Sequence, residues 1–173
     1  MEERELKWEV REKKTLLSTR VFDVLAQEEK REDGQSGEFY AVSAPDWVVI
    51  VPVYQGCFVM VRQFRHAEEV ITTELPGGVI DRGETPEKTA SRELLEETGF
   101  RAGKLTYLGT CSPNPALFKN HFYAYLAEDL TPTGIQHLDS DEFLNYQLIP
   151  VEEVIRDFGS GEYTHAFTGT AIM

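Results

Sequence analysis

Cysteine is scarce in this chain: Cys57 and Cys111 are the only two in 173 residues. That is too few for the disulfide framework of a small secreted domain, so both are expected as reduced thiols, Cys57 within a strand. Basic charge is also in deficit. Seventeen Lys and Arg against 30 Asp and Glu leave a net charge of −13, which disfavours nucleic-acid backbones and anionic membranes as partners. No apolar run approaches the roughly 20 residues that span a bilayer, and no basic start leads into an apolar stretch, so a cytoplasmic location is expected. The four histidines, His66, His121, His137 and His165, have no spacing that builds a zinc site, and none is assigned catalytic work. Internal repeats and low-complexity tracts are absent. What is present is 41% hydrophobic residues, enough to give one catalytic domain a proper core.

Most of the apolar residues fall in short stretches with the two-residue period of strands. Leu6, Trp8 and Val10 alternate within a charged opening that reads as a loosely held edge up to about Lys14. Val21 to Gln27 and Glu38 to Ser43 flank a charged link carrying Asp33-Gly34, a hairpin pattern. After Ala44-Pro45-Asp46, a second hairpin joins Trp47 to Val53 with Cys57 to Phe64 through Tyr54-Gln55-Gly56. Ile71 to Leu75 is a short strand running into Pro76-Gly77-Gly78. Strands are expected again over Lys104 to Thr110, His121 to Ala127 and Phe143 to Ile149, and Ser112-Pro113-Asn114-Pro115 cannot belong to a central strand. Val151, Val154, Ile155 and Phe158 share one side of a helix over 150–158, and Tyr163 to Met173 is a short helix candidate. Strands and helices interleave without the regular alternation of a doubly wound sheet, which implies an α+β layer arrangement. Residues 1–45 read as an N-terminal strand segment and 46–173 as the catalytic domain.

One helix organises the rest. Thr85 is placed to cap it, Pro86 suits its first position, Glu87 complements its positive end and Gly99 supplies a left-handed stop, so it is predicted over Pro86 to Thr98. At about 100° per residue, Glu93, Glu96 and Glu97 fall within one arc of about 100°. Two such charges about 4 Å apart repel by about 4 kcal/mol near a protein surface. On spacing alone a solvated acidic face is the better description. An oxygen-only donor set that does hold a metal suits a hard cation, Mg²⁺ or Mn²⁺, sharing its coordination with a substrate phosphate.

The whole stretch Gly78 to Phe100 resolves that choice: Gly78, five residues, Glu84, seven residues, Arg92-Glu93-Leu94, one residue, Glu96-Glu97, one residue, Gly99-Phe100. It resembles the Nudix box at every defined position. The flanking Val61-Arg62-Gln63-Phe64-Arg65 and Glu74-Leu75-Pro76-Gly77-Gly78 resemble the ADP-ribose pyrophosphatase branch of that family. The resemblance implies an α/β/α sandwich about a mixed sheet, with the N-terminal strand hairpin added, and metal-dependent hydrolysis of a nucleoside diphosphate linked to another moiety.

By the same resemblance, Glu93 and Glu97 are the main metal ligands, Glu96 is a third, and the Gly77 carbonyl contributes from the loop. Arg92 orients the glutamates and Glu84 holds the loop. The family's acidic base precedes a late strand, where this chain has Asp139-Ser140-Asp141-Glu142, with Glu142 first in rank, Asp141 next, Asp139 third and Glu96 as the fallback. Arg65 and Glu74 fall at substrate-contact positions, although for Arg65 a surface ion pair competes. Pro115, fifteen positions beyond Phe100, favours ADP-ribose over a dinucleotide, while Ser-Pro-Asn-Pro departs from the branch's usual Ser-Pro-Gly. Phe39, Phe22 or Tyr40 could stack on adenine, against core packing as the ordinary role of an aromatic. In this branch the N-terminal strands pair across a homodimer. GDP-mannose or a dinucleotide as substrate, and a non-catalytic nucleotide sensor, are the competing readings.

Overall fold

In the computed structural model, which describes residues 3–138, 140 and 142–173, contacts divide the chain into two units. The first consists of Met1–Pro45 with Ser112–His121. A single helical turn, α1 (Glu3–Leu6), is followed by β1 (Trp8–Ser18), β2 (Asp23–Arg31) and β3 (Ser36–Ser43), an antiparallel meander in the order β1-β2-β3. The opening segment is an edge strand, as expected, but a fully registered one that runs on to Ser18. Leu6 lies in the helical turn, and β1 is registered on β2 from Trp8↔Arg31 to Ser18↔Asp23. Its pairing is supplied by a partner strand rather than by an apolar face of its own, since β1 is exposed from Glu9 onward. The expected hairpin is longer than its apolar pattern. Strand pairing continues through charged Glu28–Lys30, and the turn closes with Arg31 N donating to Gln35 O at 2.8 Å while Gly34 sits at φ +91°. Residues 112–121 run beside β3: Val42 N donates to Leu117 O at 2.7 Å and Lys119 N to Val42 O at 3.0 Å.

The second unit is Asp46–Cys111 with Phe122–Met173. It contains β4 (Trp47–Tyr54), β5 (Cys57–Arg65), β6 (Val70–Glu74), α2 (Pro86–Thr98), β7 (Phe100–Arg101), β8 (Lys104–Cys111), β9 (Phe122–Glu128), β10 (Thr131–Pro132), β11 (Leu144–Pro150), α3 (Val151–Asp157) and α4 (Ala166–Ile172). The main sheet runs β11-β5-β4-β9-β8, with β6 also paired to β5. It is mixed because β4 and β9 are parallel while the other pairs are antiparallel. The β7–β10 ribbon was not legible in the sequence, and β11 begins at Leu144, which leaves Phe143 exposed before it.

The run Val48-Val49-Ile50-Val51 in β4 explains the sandwich. Successive side chains point to opposite faces of a sheet, so a continuous apolar run marks a strand buried on both sides. Val48 and Ile50 pack with Ala90 and Leu94 of α2, with Phe100 and with Tyr125. Val49 and Val51 pack with Phe58, Met60, Phe122, Val154 of α3 and Phe167 of α4. Ala90 and Leu94, one turn apart, are fully buried, so this stripe fixes which face of α2 meets the sheet. Fully burying a side chain such as Leu94 contributes about 1.5–3 kcal/mol. The carboxylates of α2 are thereby placed at the margin of that stripe.

Candidate active site

α2 begins and ends where its sequence predicts. Thr85 is extended at φ −95°, ψ 152°, and its hydroxyl accepts from Lys88 N at 3.3 Å. Gly99 adopts φ +70° and donates its N–H to Leu95 O at 2.8 Å. The last turn has no basic residue, so its carbonyls are satisfied by the chain beyond β10: His137 N donates to Glu96 O at 2.9 Å, and Gln136 Nε2 donates to Glu97 O.

The loop 76–78 lies directly against the helix. Val48 N donates to Gly78 O and Ile50 N to Pro76 O, both at 2.9 Å, so the segment extends along β4. Gly77 N turns the other way and donates to Glu97 Oε2 at 3.0 Å. In an extended segment a residue's N–H and C=O share an edge, so the Gly77 carbonyl also faces α2. Proximity to backbone requires Gly77, and a side chain in place of Gly78 would displace the Glu93 carboxylate. A Cβ at Gly77 would lie 2.2 Å from Val48 O, and one at Gly78 would lie 2.3 Å from Glu93 Oε1.

Glu93 and Glu97 are buried, 7% and 3% exposed, and Glu96 is partly exposed beside them. Burial pushes Glu93 up to about 7, against the lowering effect of Arg92, with Glu96 and Glu142 adding repulsion. Glu97 is raised well above the usual carboxylate range by burial and then by Glu93; the Gly77 N–H opposes this, and Glu142 adds to it. Glu142 thus lies within electrostatic reach of both glutamates. It lines a pocket with Arg62, Gln63, Phe64, Ile71 and Phe143. Asp139 and Asp141, the other two acids weighed as base, lie outside the described residues.

Arg92 ties the cluster together. Its Nη1 donates to Glu93 Oε1 and Glu96 Oε2, both at 2.9 Å, and its Nη2 to Glu84 Oε2 at 3.0 Å. Glu84 also accepts from Thr89 Oγ1 at 2.8 Å, and its carboxyl is lowered first by Arg92 and then by Thr89. Among the described residues no three His, Cys, Asp or Glu side chains converge as a metal cage, because these carboxylates are turned onto Arg92 and Gly77. The donor chemistry nevertheless fits a divalent cation. Two carboxylates whose pKa values are raised by burial first and by neighbouring carboxylates second, beside a backbone carbonyl, form a site that a hard cation would relieve.

Arg65 forks onto Glu74, with Nε to Oε1 and Nη2 to Oε2 both at 2.8 Å, so the ion pair weighed against a substrate contact is present. Glu74 is fully buried; that burial is outweighed by His165 and Arg65, which hold its carboxyl down at about 2. His165 was assigned no work from the sequence. Ninety-one positions separate it from Glu74, and no local pattern announces the contact. Phe39 and Pro115 belong to the other unit, where Phe39 meets the edge of the Trp8 ring at 5.0 Å between centroids.

The NUDIX domain pattern matches residues 44–167, well over half of the chain, and this protein belongs to that family of hydrolases. Within the family it falls with the ADP-ribose pyrophosphatase-like branch. It is 32% identical over 163 residues to the ADP-ribose pyrophosphatase of Bacillus subtilis (strain 168), covering 93% of this chain and 88% of that one. It is 28% identical over 143 residues to the methanol dehydrogenase activator of Bacillus methanolicus, covering 82% and 77%. A solved ADP compounds hydrolase superposes with a TM-score of 0.85 at 25% identity, covering 96% of this chain and 90% of that chain. The α/β/α sandwich and the enzyme class therefore stand.

Proposed function

We propose that the protein hydrolyses the diphosphate link of ADP-ribose, giving AMP and ribose 5-phosphate, with Mg²⁺ or Mn²⁺ as cofactor. The observation that carries this reading is the buried, mutually repelling pair Glu93 and Glu97 against the Gly77–Gly78 loop, in a chain that aligns over most of its length with an ADP-ribose pyrophosphatase. Glu93, Glu96, Glu97 and the Gly77 carbonyl would hold the cation. When bound it neutralises the diphosphate oxygens and acidifies the attacking water. Arg92 keeps Glu93 and Glu96 aligned and is itself held by Glu84. Glu142, next to the cluster, takes the proton from water as the oxygen attacks phosphorus and the P–O–P bridge breaks. Asp141 is second in line for that role. Arg65 presents its guanidinium to a substrate phosphate or terminal ribose with Glu74 behind it.

A homodimer formed through the β1–β3 sheet is part of this proposal, supported by exposed Leu17, Val21, Phe39 and Tyr40 on its strands and links. Two free thiols, and no helix among the described residues long and apolar enough to cross a membrane, support a cytoplasmic setting. The test is a panel of ADP-ribose, other nucleoside diphosphate sugars, dinucleotides and nucleoside triphosphates with Mg²⁺, with products separated. Release of AMP and ribose 5-phosphate from ADP-ribose as the best substrate is the expected result. Equal or better turnover of GDP-mannose or a dinucleotide would overturn the assignment, and calorimetric binding without hydrolysis over hours would mark a sensor.

A further inference from the structure

Three residues of the C-terminal segment latch onto three successive residues at the end of β6. Thr73 Oγ1 donates to Glu162 Oε2 at 2.9 Å, His165 Nδ1 lies 2.7 Å from Glu74 Oε2, and Leu75 N donates to Thr168 Oγ1 at 3.0 Å. The contacts recur every third residue on one side and every residue on the other, so a turn of chain entering α4 is docked against an extended strand. The central contact is the chemically unusual one. Glu74 is fully buried; Arg65 Nε and Thr72 Oγ1 donate to Oε1, Arg65 Nη2 donates to Oε2, and His165 Nδ1 lies against Oε2. Both oxygens of the carboxylate are therefore restrained. His165 Nδ1 is buried, and this close ion-pair contact, without an aligned hydrogen bond, is the polar one it makes among the described residues. The imidazole is itself held by the Phe167 ring, 5.0 Å away between centroids. Arg65, by contrast, keeps a side chain 43% exposed at the outer end of this stack.

We infer that His165 is a positioning residue for the hydrolytic reaction: it immobilises the Glu74 carboxylate and thereby sets the orientation in which Arg65 meets the substrate. This rests on the reading of Arg65 as a substrate contact. Arg65 has a long flexible stem, and a bidentate partner fixes its plane only if that partner is fixed in turn. Thr72 and His165 restrain Glu74 from two sides, so Oε2 loses its outer restraint if His165 goes. A protonated imidazole adds opposite charge to this contact, and a neutral one donates to Glu74 only in the tautomer that carries hydrogen on Nδ1.

Two substitutions separate the polar contact from packing. His165→Phe keeps a ring against Phe167 and removes the donor, whereas His165→Asn keeps a donor near the Nδ1 position and removes the ring. On the best substrate of the panel above, His165→Phe is expected to raise KM roughly tenfold with kcat within about twofold, the scale of a lost polar contact to a charged group. His165→Asn is expected to stay within about threefold of the parent, and His165→Phe should add nothing further in an Arg65→Ala background. Should Phe not be accommodated, His165→Ala assayed with and without added imidazole replaces it, with recovery on addition expected. Parent-like kinetics for His165→Phe, a larger loss for Asn than for Phe, or no recovery with imidazole would overturn the inference. If Arg65→Ala itself retains the parent KM, the reading of Arg65 has failed, a result distinct from impaired Arg65→Ala alongside normal His165→Phe.

Discussion

Replacing Glu93 by Gln should make the metal-free protein more stable while disabling it. The glutamate's folded-state pKa is about 7 against an ordinary 4.5, a rise caused mainly by burial. A rise of about 2.5 units costs about 3 kcal/mol when the group is fully ionised, at 1.36 kcal/mol per unit. The sign follows from proton binding. Below about pH 4.5 both folded and unfolded states carry the proton and the cost is absent; between about 4.5 and 7 the unfolded state ionises first, and above about 7 the cost is complete. Gln removes the charge at almost constant volume and still offers Arg92 Nη1 an acceptor, although losing the ionic character of that 2.9 Å contact returns about 1 kcal/mol. The net gain is about 2 kcal/mol, roughly 4–8 °C in Tm for a chain of this size. Thermal melts of parent and variant in chelator, at pH 8 and pH 5, measure it. The expected pattern is a higher Tm for the variant at pH 8, a much smaller difference at pH 5, and a smaller rise in Tm on adding Mg²⁺ than the parent shows. A variant that melts at or below the parent at pH 8, or gains equally at both pH values, would refute the burial argument.

Glu97→Gln should fold and lose turnover by orders of magnitude, chiefly in kcat; near-parent turnover at saturating Mg²⁺ would show that the cation sits elsewhere. For the base, Glu142→Gln is expected to cost more activity than Asp141→Asn, and Asp141→Asn more than Asp139→Asn, with the acidic limb of the kcat profile removed in the first; parent-like rates for all three would move the role to Glu96 or away from protein acids. Glu74, held at about 2, contributes up to about 3 kcal/mol that is fully present above about pH 4.5 and lost as pH falls toward 2. Chemical denaturation of parent and Glu74→Gln across pH 2–6 should therefore converge at the acid end and diverge above it. Leu94→Ala, at a fully buried position of the α2 stripe, should cost about 2–5 kcal/mol by urea titration, with an unchanged m-value.

Local chemistry was enough for α2. Thr85, Pro86 and Gly99 each act on the backbone within one turn, so cap, first residue and stop were legible, and the helix spans Pro86–Thr98 as expected. The same holds for β4 and β5, whose apolar runs are buried regardless of what covers them. The alternation of Trp8 and Val10 marked the start of β1, but its extent to Ser18 was not legible, because its pairing depends on β2 and its own side chains are mostly exposed. The β7–β10 ribbon is two residues wide and carries no period at all.

At the site the division is between residue types and their partners. That Glu93, Glu96 and Glu97 share one face follows from helix geometry alone, and their grouping with Gly78 and Arg92 in one box follows from spacing along the chain. Which of them is buried, and so carries a raised pKa, depends on how the Ala90–Leu94 stripe seats α2 on the sheet. Likewise the sequence contains Glu74 and His165 without any sign that they meet. Their contact exists because α4 packs beside β6 through Thr168 and Leu75, and the interaction of two side chains ninety-one positions apart depends on a chain path that no local propensity encodes.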